Sequence, residues 1–212
     1  MDMINLLKKT KNKIFHLNPL IIKYCIFPSN FCDYTHLKLS KNRPHAGLDR
    51  GVFKEDMNGH IKINNLKWDH RPGVLFTQIF EYIALENHYL GKENWKNSKF
   101  AQRCVKYIKL NNQIRGFYDH KTFLLKREKQ IDNLFLSIQK NGVYPNNVPR
   151  EKNIFVDNIS VALTGKSKLY FNNRGHHRLS IAKILKLKEI PVKITVAKSL
   201  NILSKFCSSY DN

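Results

Sequence analysis

The chain has 212 residues, of which 42% are hydrophobic and 11% aromatic, enough for one full core or for a compact domain with a helical extension. Its 37 Lys and Arg against 16 Asp and Glu give a formal net charge of +21, which favours polyanionic partners: nucleic acid, anionic membrane, nucleotides or phosphorylated substrates. The cations are dispersed without a long block, and no stretch approaches the roughly 18 apolar residues of a membrane span, so no spanning segment is expected.

The N-terminal stretch "MDMINLLKKTKNKIF" is followed by neither a long apolar run nor a small-residue cleavage site, so a secretory signal is not expected and the setting reads as cytoplasmic. Cys25, Cys32, Cys104 and Cys207 lack metal-ligand spacing and read as free thiols. Residues 1–67 are rich in turn formers and predict loops with short elements. "GHIKINNLKWDHRPG" predicts a short strand or turn leading into a helix, with Pro72 in the first turn and Asp69 as a cap.

Three helices follow. "VLFTQIFEYIALENHYL" places Phe76, Ile79, Phe80, Ile83 and Leu90 near helical spacing, and "SKFAQRCVKYIKL" aligns Phe100, Cys104, Val105 and Ile108. The third runs from about Lys121 to Lys140, with Leu124, Ile131, Leu134, Phe135 and Ile138 inward and Gly142 as its stop. The three are expected to pack together. Beyond Gly142, "ISVALTGKSKLYF" predicts two strands turning at Gly165, and a helix from Gly175 to Leu187 and the strand "EIPVKITVA" complete a hairpin, helix, strand unit. The fold class expected is α+β, with an α/β core behind a helical region. The expected divisions are a poorly defined segment 1–67, a helical region 68–120, a core 121–198 and a tail 199–212.

The chemistry concentrates in "FNNRGHHRLSIAKILKLKEIPVKI", residues 171–194. On the helix after Gly175, Ile181, Ala182 and Leu185 define the expected buried stripe, with Arg178 on the same side and His177 and Ser180 on the more exposed one. An inward guanidinium requires either a protein carboxylate or a bound anion. First-turn N–H groups and the helix dipole suit an anion, and Gly175 admits close approach of backbone to a phosphate. Adjacent His176 and His177 diverge on a helix, which argues against a shared metal, since ligands recur at i, i+3 or i+4.

Three weaker signals have simpler accounts. "TGKS" at 164–167 lacks the upstream glycine of a phosphate loop, position 160 being Ser160, and reads as the hairpin turn. Trp68, Asp69, His70 and Arg71 read as a cap and an aromatic anchor. Arg115, Asp119 and His120 lie between helices, with Asp119 a natural N-cap.

"RGHHRLSIAKILKLKEIPVKI", preceded by "ISVALTGKSKLYF" and "LFLSIQKNGVYPNNV", resembles the core of the ParB/sulfiredoxin superfamily over about residues 121–198. The resemblance implies a hairpin, helix, strand core whose glycine-arginine turn, here Asn173, Arg174, Gly175, His176, His177 and Arg178, binds nucleotide phosphates. It implies three uses: CTP-dependent DNA clamps, ATP-dependent reduction of oxidised cysteine, and small-molecule kinases. His176 stands where sulfiredoxins carry their nucleophilic cysteine, and only "KSLNILSKFCSSYDN" follows the last strand, where partitioning clamps continue with a helix-turn-helix region. The His-His-Arg turn resembles the kinase branch, although Arg174 occupies the place before the glycine where kinases often carry Asp.

The function expected is therefore a nucleotide-binding protein acting as a phosphotransferase on a small-molecule acceptor. ATP or another nucleoside triphosphate is the cofactor, with Mg²⁺ if it is catalytic. His177 and Asp157 are the candidate catalytic residues, and Glu151 and Asp119 are other carboxylates that could serve. The alternative is a non-catalytic nucleotide-gated or DNA-binding module, with nucleic acid as the partner of the basic surface.

Overall fold

The computed structural model describes residues 74–114, 116–143, 159–172 and 174–208, together with short strand segments at 16–17, 25–27, 34–35, 37–38, 47–48 and 61–63. Those segments are β1 (His16–Leu17), β2 (Cys25–Phe27), β3 (Tyr34–Thr35), β4 (Leu37–Lys38), β5 (Gly47–Leu48) and β6 (Ile61–Ile63), and β7 (Val74–Leu75) follows them. The remaining strands are β8 (Ile159–Leu163), β9 (Leu169–Phe171) and β10 (Ile190–Ala197). The helices are α1 (Phe80–Tyr89), α2 (Lys99–Asn111), α3 (His120–Asn141), α4 (His176–Ile184) and α5 (Leu200–Ser208). The class is α+β, with a mixed sheet and a separate group of packed helices.

The sheet is organised around β8. It pairs antiparallel with β9 through the hairpin and parallel with β10, which arrives after α4 has crossed over the sheet. All five residues of β8 are buried, as expected for a strand covered on both faces. The other edge of β10 is shared: β2 lies antiparallel to Ile190–Val192 and β6 parallel to its last residues. At the far side, β3 runs parallel to β9, and β7 pairs with β3. The described parts of the N-terminal segment are thus short strands, and most of them extend this sheet.

The hairpin turn is the "TGKS" stretch. Ser167 N–H donates to the Thr164 carbonyl at 3.1 Å, and Lys168 N–H donates to Thr164 Oγ1 at 2.9 Å, with Ser167 at φ 56. These bonds account for the residues as a turn, consistent with the missing upstream glycine.

Two helices begin and end where the sequence places them. The Ser98 hydroxyl accepts from Ala101 N–H at the start of α2, and Asp119 Oδ2 accepts from Thr122 N–H at 2.7 Å at the start of α3. Gly142 closes α3 at φ 73, a conformation that glycine adopts without the Cβ penalty. The Thr122 N–H holds the Asp119 carboxyl below its ordinary value. A depressed folded-state value means that the cap's contribution is complete above the unfolded carboxylate range and is lost as pH falls through the folded one. Asp119→Ala should therefore lower thermal stability at neutral pH and flatten its decline at acid pH, as read from melting curves over pH; equal slopes in both proteins would refute the capping role.

Helix α1 departs from expectation. Val74–Leu75 are taken by the sheet, Phe76–Gln78 form a 3-10 turn, and Ile79 is extended, so the helix starts only at Phe80. Pro72 and Asp69 lie outside the described residues and precede that start by several positions, so neither opens the helix. The expected inward stripe also shifts: Ile83 and Leu90 are exposed, and Glu81, Tyr82, Ala84 and Leu85 are buried instead. In α2 the buried face is Phe100, Ala101, Cys104 and Ile108, with Val105 half-buried. Cys104 is buried and forms no disulfide among the described residues. The stretch expected as a tail contains α5, whose Leu203 and Phe206 join the sheet-side core.

Two apolar clusters result. One lies on the sheet and includes Phe76, Phe171, Leu179, Val192 and Leu203; the other lies among the helices around Trp95, Phe100, Phe123 and Ile131. Helix α4 belongs to both, with Leu179 and Ala182 on the sheet side and Ile181 on the helical side.

Candidate anion site at the start of α4

The turn before α4 is fixed to β8. Asn172 N–H donates to the Ser160 carbonyl at 2.8 Å, Ser160 N–H donates to the Arg174 carbonyl at 3.1 Å, and Arg174 N–H folds back onto the Asn172 carbonyl at 2.9 Å. Ser160 thereby holds residues on both sides of position 173, ahead of the start of α4. Gly175 follows at φ 80, ψ 20, the left-handed region, where any other L-residue is strained by about 1–2 kcal/mol. A side-chain chain of bonds braces the same turn from below. Asn172 Nδ2 donates to Thr195 Oγ1 at 2.7 Å, and Thr195 Oγ1 donates to the Val161 carbonyl at 3.3 Å. Thr195 sits at the irregularity in β10 between Ile194 and Val196.

Within α4 the first intrahelical bond of the series is Leu179 N–H to the Gly175 carbonyl at 2.9 Å. The helix itself offers no acceptor to the N–H groups of His176, His177 and Arg178, so the partial positive charge of the helix start gathers at these residues. Gly175 is buried, and Arg174, His176 and Arg178 are half-buried.

His177 is not on an exposed side. It is 8% exposed, and Ser180 is fully buried at 0%. The single-stripe reading fails because α4 has the sheet on one flank and helices α1 and α3 on the other, leaving little of its circumference to solvent. Leu185, placed in the buried stripe by the sequence, is the C-cap and half-buried, and the helix ends at Ile184 rather than Leu187. The two histidine rings also approach each other, with centroids 4.1 Å apart, instead of diverging; a helix's first residue is not confined by a preceding turn. Among the described residues no group of three or more His, Cys, Asp or Glu side chains is placed to hold a metal.

The structure adds a cation that the sequence reading overlooked. Arg127, on α3, places Nη2 at 3.3 Å from His177 Nδ1 and 3.5 Å from Nε2. Nη2 therefore lies within reach of both ring nitrogens and is slightly closer to Nδ1. Its other amino group donates from Nη1 to Gln130 Oε1 at 3.0 Å. A signal existed: Arg127 is in helical register between Leu124 and Ile131, on the stripe marked as inward. Glu81, the one acidic residue buried among the described residues, was also missed. It belongs to α1, the helix packed most extensively against α4.

Asn173, Asp157, Glu151, Arg115 and the Trp68–Arg71 group lie outside the described residues. Asp119 is the exposed cap of α3.

A second polar cluster is structural. Trp95 N–H donates to His88 Nδ1 at 3.2 Å, which fixes Nδ1 as an acceptor and leaves Nε2–H to donate to Asp132 Oδ1 at 3.1 Å. Tyr89 OH donates to the same oxygen at 3.2 Å, and its ring stacks on Phe135. Burial, and then the Asp132 charge, push the Tyr89 phenol far above its ordinary range. With both ring nitrogens engaged, His88 ties α1 to α3 and has no free position for a substrate.

No helix among the described residues is long and apolar enough to cross a membrane. No protein-family model, curated protein or solved structure matches the chain.

Proposed function

We propose that the chain binds a nucleoside triphosphate by its phosphates at the Arg174–Arg178 turn and transfers phosphoryl to a small-molecule acceptor. The observation that carries this reading is the placement of Arg127 against His177, within 3.3 Å of its Nδ1. A guanidinium from one helix meets the donor-rich first turn of another, so two independent sources of positive potential face one place. The resemblance to the ParB/sulfiredoxin superfamily supplies the choice of nucleotide over other anions.

In this reading Arg178, Arg174 and the first-turn backbone neutralise phosphate charge, and Arg127 approaches from α3. The rate enhancement would come from positioning and charge stabilisation, with Mg²⁺ carried on the phosphate oxygens. His177 belongs to the phosphate cradle, since its ring nitrogens meet Arg127 and it sits in the interior. Glu81 and Asp157 are the carboxylates to test for orienting the acceptor.

The experiment is a thermal-shift series with ATP, ADP, CTP and GTP, with and without Mg²⁺, on the native chain and Arg178→Ala. A ligand at about a hundred times its Kd stabilises by about 2.7 kcal/mol, or roughly 5–10 °C for a chain of this size. The expected result is a nucleotide-selective rise that Arg178→Ala abolishes. An equal rise in both proteins, or no rise with any nucleotide, would refute the site. Acceptor-dependent conversion of ATP to ADP then separates transfer from binding alone.

A further inference from the structure

The outward face of α2 has no role in the site at α4, and its charge is one-sided. The helix "KFAQRCVKYIKLN" contains four cations and no acid. Phe100, Ala101, Cys104 and Ile108 form its buried face, and the opposite face presents Lys99, Gln102, Lys106, Lys109 and Leu110 to solvent, with Arg103 half-buried at its edge. The charges on α3 are mixed by comparison: Glu128 pairs with Lys96, and Asp132 with His88.

We propose that this face is a docking surface for the phosphate backbone of a polynucleotide. Lys99 to Lys109 spans about 15 Å along the helix axis, a length of duplex axis over which one strand presents about four phosphates at roughly 3.4 Å of rise each. The face thus offers four cations over a length of duplex that carries about four phosphate charges on one strand. Two of them are already oriented: Lys99 Nζ lies 5.2 Å, and Arg103 Cζ 4.7 Å, from the centre of the Phe80 ring. Side chains held by an aromatic ring lose less freedom on meeting a phosphate. Leu110 is the only large apolar side chain on the face, too little to insert into a lipid interface, so a polynucleotide fits better than a membrane. Contacts of this kind position a backbone and read no sequence.

The test is fluorescence anisotropy with a short labelled duplex DNA and a single-stranded RNA of equal length, over a salt series. The proteins are the native chain, Lys106→Gln/Lys109→Gln on α2, and Lys129→Gln/Lys140→Gln on α3. All four positions are exposed, so folding should be retained, and both variants lose the same charge. For four phosphates the log–log salt slope should be about −3.6 on duplex and about −2.8 on the single strand. The α2 variant should lose about two units of slope and at least tenfold in affinity at low salt, and the α3 variant should keep most of both. Absence of binding, equal losses in the two variants, or binding to anionic vesicles but not to polynucleotide would each overturn the proposal.

Discussion

Trp95→Ala is expected to lower the free energy of unfolding by about 3–5 kcal/mol, whereas Trp95→Phe should cost about 1.5 kcal/mol or less. The contrast follows from what the residue does. Trp95 is 1% exposed, and its ring meets Phe100 edge-on at 6.2 Å and Phe123 at 6.1 Å, in the cluster that receives Ile181 of α4. Alanine removes the ring and leaves a cavity that α2 and α3, each capped and fixed, can close only in part. The indole contributes volume more than polarity, because its Nε1 is buried with no hydrogen-bond partner among the described residues. Phenylalanine keeps most of the volume and removes that unsatisfied donor, so its two effects oppose. Urea denaturation with an unchanged m-value measures both. If Phe proved as costly as Ala, the indole N–H would have to be making a bond that matters.

The same cluster shows what local pattern carries and what it does not. Helices α2 and α3 were legible because their signals are local: Ser98 and Asp119 as caps, Gly142 as a stop, and apolar residues at helical spacing between them. The start of α1 was not, because Val74–Leu75 pair with Tyr34–Thr35, some forty residues away, and that pairing outweighs the helical spacing through Phe76. At α4 the error came from the assumption of one buried face. A helix between a sheet and two other helices buries Leu179, Ser180, Ile181 and Ala182 in succession, and no stripe survives. The turn from Arg174 to Arg178 was visible as residues, but its geometry was not: Ser160 anchors it from another strand and Asn172 braces it on Thr195. Arg127 was the most recoverable omission, since a charge on an apolar stripe calls for the same question that Arg178 raised.

Arg127→Ala is expected to weaken nucleotide binding by about 10–100-fold, the loss of one charge-assisted hydrogen bond worth about 1.5–3 kcal/mol. Two arrangements of Arg127 are open. As a structural residue it would serve to cover His177, and its removal would lower stability while leaving affinity alone. As a phosphate ligand it would pivot from the imidazole to the anion, and its removal would lower affinity with little change in the melting temperature of the free protein. The geometry favours the second. Its contacts with the His177 ring nitrogens, at 3.3 and 3.5 Å, are long for hydrogen bonds, so a phosphate oxygen within reach, held at about 2.7–2.9 Å by a charge-assisted bond, is a stronger partner than the one it leaves. Gln130, bonded to the outer amino group, would hold the side chain at the correct height, and Gln130→Ala should cost only a few-fold in affinity. Arg127→Lys should recover part of the loss, since a lysine restores the charge but not the planar fork. Titration calorimetry on these three variants, beside melting curves without ligand, separates the two roles. Native affinity in Arg127→Ala with a lowered melting temperature would assign the residue to packing and leave Arg178 and the first turn of α4 to bind phosphate unaided.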